Sequence, residues 1–168
     1  MLIFTDGSHS MKPRMSGLGA VIIDNDKEYQ IGAYSDKCRD NNVAEIAAIA
    51  MACKYVKANG IQSKTITIIS DSECALRRIT HRALGEDEFE HNCLDYIKEF
   101  IIEHPKVNFM QVKGHQKDNS KLTYYNRVAD ALAGDYRKLG LELEKTKPSK
   151  KKIKKIRKSS YQSFNNGR

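Results

Sequence analysis

Asp6 closes the strand-like run "MLIFTD", and Asp71 closes the β-branched run "KTITIISD". In open α/β sheets, ligands gather beyond the carboxyl ends of strands, so both acids are candidates for chemistry. A third acid, Glu45, stands alone in "NNVAEIAAIAMACKYV", where twelve of sixteen residues are apolar and an unpaired carboxylate is expensive to bury. A fourth, Asp130, lies on the helix-patterned "TYYNRVADALAGDYRKLG". Asn126 sits one turn before it, and Ala133 and Gly134 sit one turn after, small enough to admit a close neighbour. "VKGHQ" places His115 in a loop after the fifth strand-like run.

Each of these residues has an ordinary structural reading. Glu45 can close a capping box with Asn42 as the cap. Asp6-Gly7 can be a hairpin turn, Asp130 can belong to a polar helix face, and a loop histidine is usually solvated. Three observations weigh against these readings. Ile49, Ala52 and Val56 follow Glu45 at one, two and three turns, so Glu45 heads a stripe that faces the core. Ten residues separate Asp6 from "GLGAVII", too many for a two-residue turn. Ser72 is a good helix cap, which leaves Asp71 outside the cap without a role. Like charges crowd together only with compensation. Hard divalent cations supply it, because Mg²⁺ takes oxygen ligands from carboxylates and substrate phosphates. Two such ions about 3.5–4 Å apart activate water and stabilise the leaving oxygen in phosphodiester cleavage.

The elements that must position these groups can be read in order. "MLIFTD", "GLGAVIID" and "EYQIGAYS" are strands, and the helix holding Glu45 follows and closes near Gly60. "KTITIISD" is a strand buried on both faces. "SECALRRIT" and "EFEHNCLDYIKEFIIEH" are helices, "KVNFMQV" is a fifth strand, and the Asp130 helix comes last, amphipathic through Val128, Leu132, Tyr136 and Leu139. Three strands, then helix, strand, helices, strand and helix imply an α/β fold: a five-stranded mixed sheet flanked by helices.

With 168 residues the chain is long enough for one domain with a substantial core. It has no 18-residue apolar run, so no membrane span is expected, and "MLIFTDGS" lacks the basic start of a signal peptide. Cys38, Cys53, Cys74 and Cys93 are spaced like neither a metal site nor a disulfide framework, so reduced thiols and a cytoplasmic setting are expected. The net charge of +8 conceals a division. Residues 145–168 hold ten Lys or Arg and no acid, whereas the rest of the chain holds 19 basic and 21 acidic residues. The chain is read as a body, residues 1–140, and a basic tail, residues 141–168. The tail is expected to be disordered in isolation. Its Lys150, Lys151, Lys152, Lys154, Lys155, Arg157 and Lys158 suit either a nucleic-acid arm or a solvated localising segment.

In the same order, "TDGS", "GLGAVI", "NNVAE", "SDS", "KGH" and "NRVAD" resemble the motifs of type 1 ribonuclease H across about residues 2–139. The ordered set is specific where no single motif is. The resemblance implies a ribonuclease H-like fold and endonucleolytic cleavage of RNA within RNA–DNA hybrids. It implies two Mg²⁺ ions, with Mn²⁺ as a substitute, ligated by Asp6, Glu45, Asp71 and Asp130. It assigns His115 to proton transfer or product release, Asn126 to positioning, and Asn41 and Asn42 to the hybrid's minor groove, where 2′-hydroxyls are displayed. A monomer with no membrane partner is expected. Four departures stand out: a longer stretch between His115 and Asp130, Asp40 where Thr is frequent in a DNA-phosphate pocket, Glu73 where Gln is frequent, and a short, acidic "RRITHRALGEDEFE" in place of a basic protrusion. The alternatives are another metal-dependent nuclease of the same fold, against which "NNVAE" and "KGH" argue, and a non-catalytic hybrid-binding module, for which a missing carboxylate would be the signature.

Overall fold

The computed structural model describes residues 1–104, 106–114 and 120–146. Its elements are β1 (Leu2–Met11), β2 (Arg14–Asp24), β3 (Lys27–Ser35), α1 (Asn41–Ala58), β4 (Ile66–Ser70), α2 (Glu73–Thr80), α3 (Glu88–Glu103), β5 (Val107–Gln111) and α4 (Lys121–Thr146). The strands form one sheet in the order β3-β2-β1-β4-β5. β1 pairs antiparallel with β2 and β2 with β3, while β4 runs parallel to both β1 and β5. This is the mixed five-stranded sheet expected.

Alternation along the strands divides the core between the two faces of the sheet. Ile3, Ile22 and Ile68 face α1 and α3, where they meet Ile46, Ile49, Leu94, Ile97 and Phe100. Their neighbours Phe4, Val21 and Ile69 face α4 and meet Ala129. The α4 helix lies close on β2 because Gly19 has no side chain: a Cβ there would collide with Ala129 O. No helix among the described residues is long and apolar enough to cross a membrane.

Three boundaries differ from the sequence reading. First, β1 does not end at Asp6. It continues to Met11 and turns through Lys12-Pro13 into β2, with Met11 opposite Arg14. Asp6 is therefore inside a hairpin arm, opposite Gly19. The polar stretch "GSHSMKPRMS" hides the strand because backbone pairing, rather than apolar alternation, sustains it. Second, Asp40 caps α1 instead of Asn42, its Oδ1 accepting from Val43 N–H at 2.9 Å. Third, α4 runs past Gly140 to Thr146. Gly140 is no stop signal but a contact point, where a Cβ would lie 2.6 Å from Met15 Sδ. The helix-forming "LELEK" beyond it carries the helix on.

Candidate active site

The register of the parallel pair brings the first two acids level. β1 and β4 pair only from Leu2 with Thr67 to Phe4 with Ile69. Continuing that register sets Asp6 opposite Asp71, just past the paired region and on the face of Phe4 and Ile69. So Asp6 lies level with the end of β4, although β1 itself continues. On the other face, Gly7 is so near α1 that a Cβ would strike the backbone of Ala44 and Glu45. That approach delivers Glu45 to the same place. Its Oε2 accepts from Gly7 N–H at 3.0 Å, and its Oε1 accepts from Asn41 Nδ2 at 3.4 Å.

One oxygen from each of Asp6, Glu45 and Asp71 lies within 4.8 Å of the other two. Asp6 and Glu45 are buried, at 7% and 5% exposure, and Asp71 is half-buried. Burial, then the charges of Asp71 and Asp130, push the Asp6 carboxyl up to about 7. Burial, then Asp6 and Asp71, push Glu45 to about 9, against the opposing hydrogen bonds from Gly7 and Asn41. Burial and mutual repulsion thus favour the protonated forms of both, and no described Lys or Arg forms an ion pair with any of the three. The donor set is entirely oxygen and anionic, which suits hard Mg²⁺ or Mn²⁺ rather than a metal that prefers nitrogen or sulfur.

The remaining expected residues divide. Asn126 is buried on α4, and its Nδ2 donates to Asp71 Oδ2 at 3.4 Å while its Oδ1 has no partner among the described residues. Asp130 is exposed and stands outside the three-acid group, reaching it through its charge on Asp6. Asn41 and Asn42 open α1 with exposed side chains beside Glu45. His115 lies outside the described residues, as do Lys150, Lys151, Lys152, Lys154, Lys155, Arg157 and Lys158.

Sequence reading missed the neighbouring ion network. Arg39 contacts Asp40 at 3.0 Å, Glu86 at 3.0 Å, Asp87 at 3.3 Å and Glu90 at 2.9 Å. Arg78 contacts Glu90 at 2.7 Å, an ion pair without hydrogen-bond alignment at Glu90 Oε1, and Glu86 at 3.4 Å. Glu90 is only 1% exposed. The acidic stretch that replaces a basic protrusion therefore folds onto Arg39 and Arg78. Asp40 serves as helix cap and ion-pair partner. The usable signal was the coincidence of an acidic turn with an arginine flanking a cap.

Residues 1–138 match the RNase H family model. No curated protein matches the chain by sequence. Solved structures do. LC11-RNase H1, isolated from compost by a metagenomic approach and solved in complex with RNA/DNA hybrid, is 22% identical over 83% of this chain and 98% of that one, with a TM-score of 0.66. RNase H1 from the halophilic archaeon Halobacterium salinarum NRC-1 is 20% identical over 80% of this chain and 95% of that one, TM-score 0.64. The protease-reverse transcriptase of prototype foamy virus matches 81% of this chain with 20% of its own length, at 24% identity and TM-score 0.67. At these identities the structures speak for the fold, and the family match, covering both β1 and the Asp130 helix, speaks for descent: the chain belongs to the RNase H family.

Proposed function

We propose that this ribonuclease H cleaves the RNA strand of RNA–DNA hybrids with divalent metal, Mg²⁺ or in its place Mn²⁺, held by Asp6, Glu45 and Asp71 and completed from α4 by Asp130. The observation that carries the reading is the convergence of three carboxylates within 4.8 Å, none of them ion-paired to a described Lys or Arg. Two bound ions would activate water for in-line attack and stabilise the leaving oxygen. The chain's own residues do the rest. Gly7 N–H and Asn41 hold Glu45 in place, and Asn126 holds Asp71. Asn41 and Asn42 offer exposed amides next to Glu45, on the side where a minor groove with its 2′-hydroxyls would lie. His115, assigned by motif alone, assists proton transfer or product release. The basic tail adds backbone grip, and the enzyme works as a cytoplasmic monomer. The deciding assay offers a hybrid, duplex DNA and a four-way junction with Mg²⁺, with and without chelator. Chelator-sensitive cleavage of the hybrid's RNA strand is expected. Preference for the junction or duplex DNA would sink the substrate assignment, and cleavage in chelator would sink the metal assignment.

A further inference from the structure

Gly114 follows β5, far in sequence from the three acids, yet it borders them. A Cβ built on it would lie 2.6 Å from Asp71 Oδ2, 3.4 Å from Asp71 Cγ and 3.6 Å from Asp71 Cβ. No carbon sits 2.6 Å from a carboxylate oxygen without one of them moving. Backbone conformation does not explain the glycine, because Gly60 alone among the described glycines has a positive φ. Space does. The crowded oxygen is also the one that accepts from Asn126 Nδ2, so Asp71 Oδ2 has both the Asn126 amide and the Gly114 backbone for near neighbours. The carboxyl of Asp71 is short and has few ways to yield. Turning it from an added methyl group changes its aim at Asp6 and Glu45.

We infer that Gly114 is a positioning residue of the metal site: its missing side chain leaves the room in which Asp71 keeps its carboxylate directed at its two partners. The inference rests on the metal reading above. Mg²⁺ demands near-ideal octahedral geometry, so a displaced ligand weakens it out of proportion to the displacement. A rival role, freeing the following loop to bend, makes no reference to Asp71 and separates cleanly in a double-mutant cycle.

The test uses the full chain with Mg²⁺ as the probe. Mg²⁺ affinity is measured by calorimetry, and melting temperature is measured in chelator and across an Mg²⁺ series. The four proteins are the wild type, Gly114→Ala, Asp71→Ala and the double variant. Gly114→Ala should melt with the wild type in chelator but bind Mg²⁺ roughly ten- to a hundredfold more weakly, the usual cost of losing a ligand's support. In the Asp71→Ala background, which has no carboxylate to displace, the same substitution should change affinity by less than about twofold. Wild-type affinity in Gly114→Ala overturns the inference. So does a loss of equal size in both backgrounds, or a collapse of Gly114→Ala in chelator that Asp71→Ala does not relieve. A wild type that ignores Mg²⁺ overturns the metal reading and this inference with it, whereas a responsive wild type beside an unaffected Gly114→Ala overturns this inference alone.

Discussion

Two clusters of acids flank the first turn of α1, and they are built on opposite principles. On one side, Asp40, Glu86, Asp87 and Glu90 surround Arg39 and Arg78, with contacts between 2.7 and 3.4 Å. Here Asp40 is held below the ordinary carboxylate range: burial acts against this, but the Val43 N–H and Arg39 prevail. On the other side, Asp6, Glu45 and Asp71 converge without a cation, and Asp6 and Glu45 are pushed far up. Burial is not what distinguishes the clusters, since Glu90 is as deeply buried as Glu45. The difference is whether the chain supplies the counter-charge. A cluster that supplies its own is architecture. A cluster that leaves the charge outstanding is organised around something that arrives from outside.

The largest expected effect breaks the deficient cluster. Asp71→Asn is nearly isosteric, keeps the β4 end intact and removes one charge from the proposed ligand set. Removing a ligand's supporting partner already costs roughly 10–100-fold, so losing the ligand itself should exceed that, with the fold and hybrid binding preserved. Cleavage rates and circular dichroism check it. A variant retaining more than about a tenth of wild-type turnover, a smaller loss than a ligand's supporting partner commonly costs, would show that Asp71 is not a shared ligand.

The matching change in the arginine-paired cluster should do the reverse. Glu90→Ala leaves Arg39 and Arg78 short of their most deeply buried partner. Breaking a buried ion pair costs about 3–5 kcal/mol, and the lower end applies because both arginines retain other partners and a water-facing edge. Chemical denaturation should show that loss, while Mg²⁺ affinity and kcat stay near wild type. A Glu90→Ala protein that is stable but metal-blind would erase the distinction between the two clusters.

A pH series sharpens it further. Asp6 and Glu45 titrate near 7 and 9 in the folded, metal-free protein, against ordinary values of 3.8 and 4.5. A folded pKa above the unfolded one means the contribution to stability is complete below about pH 4 and drains away as pH rises through 7 and 9. The metal-free protein should therefore lose melting temperature between pH 5 and 9. On the proposed metal reading Mg²⁺ would bind the deprotonated pair, so the gain in melting temperature on adding it should grow over the same interval. Asp40, shifted the opposite way, withdraws its support only at acid pH. Melts with chelator and with Mg²⁺ at each pH decide the matter. An Mg²⁺ gain that is flat with pH would mean the carboxylates are already charged.

What the sequence disclosed and what it hid follow the same division. Glu45 was legible because Ile49, Ala52 and Val56 share its helix face, and a 3.6-residue period is local information. Asp71 was legible because β4 is short and strongly β-branched. The hairpin arm beyond Asp6 was not, since its pairing partner, not its composition, makes it a strand. Nor was the Arg39 network, whose members lie about 50 residues apart and meet only after α3 packs on α1. The four acids expected at one point are three together and one exposed, a distinction that helix periodicity does not resolve.

The smallest effect on chemistry is expected from the tail. The body's network consumes Arg39 and Arg78, and the stretch that follows is acidic, so this side of the protein offers little to a phosphate backbone. Ten Lys or Arg without an acid lie between Lys145 and Arg168. Ending the chain at Thr146 keeps α4 whole and removes nine of the ten, all but Lys145. Phosphate contacts release counterions, with a log–log salt slope of about −0.9 per phosphate on B-form DNA, and the direction carries over to a hybrid. The shortened chain should bind hybrid and duplex DNA more weakly by similar factors, because phosphate contacts carry no sequence or sugar information. Its salt slope should be shallower. Its rate at saturating substrate should match the full chain, since uniform binding lowers KM without touching kcat. Affinity and turnover of both chains across a salt series separate the outcomes. An unchanged slope would make the tail a solvated or localising segment. A fall in kcat would place it unexpectedly near the three acids, where added cations would make the deficient cluster resemble its arginine-paired neighbour.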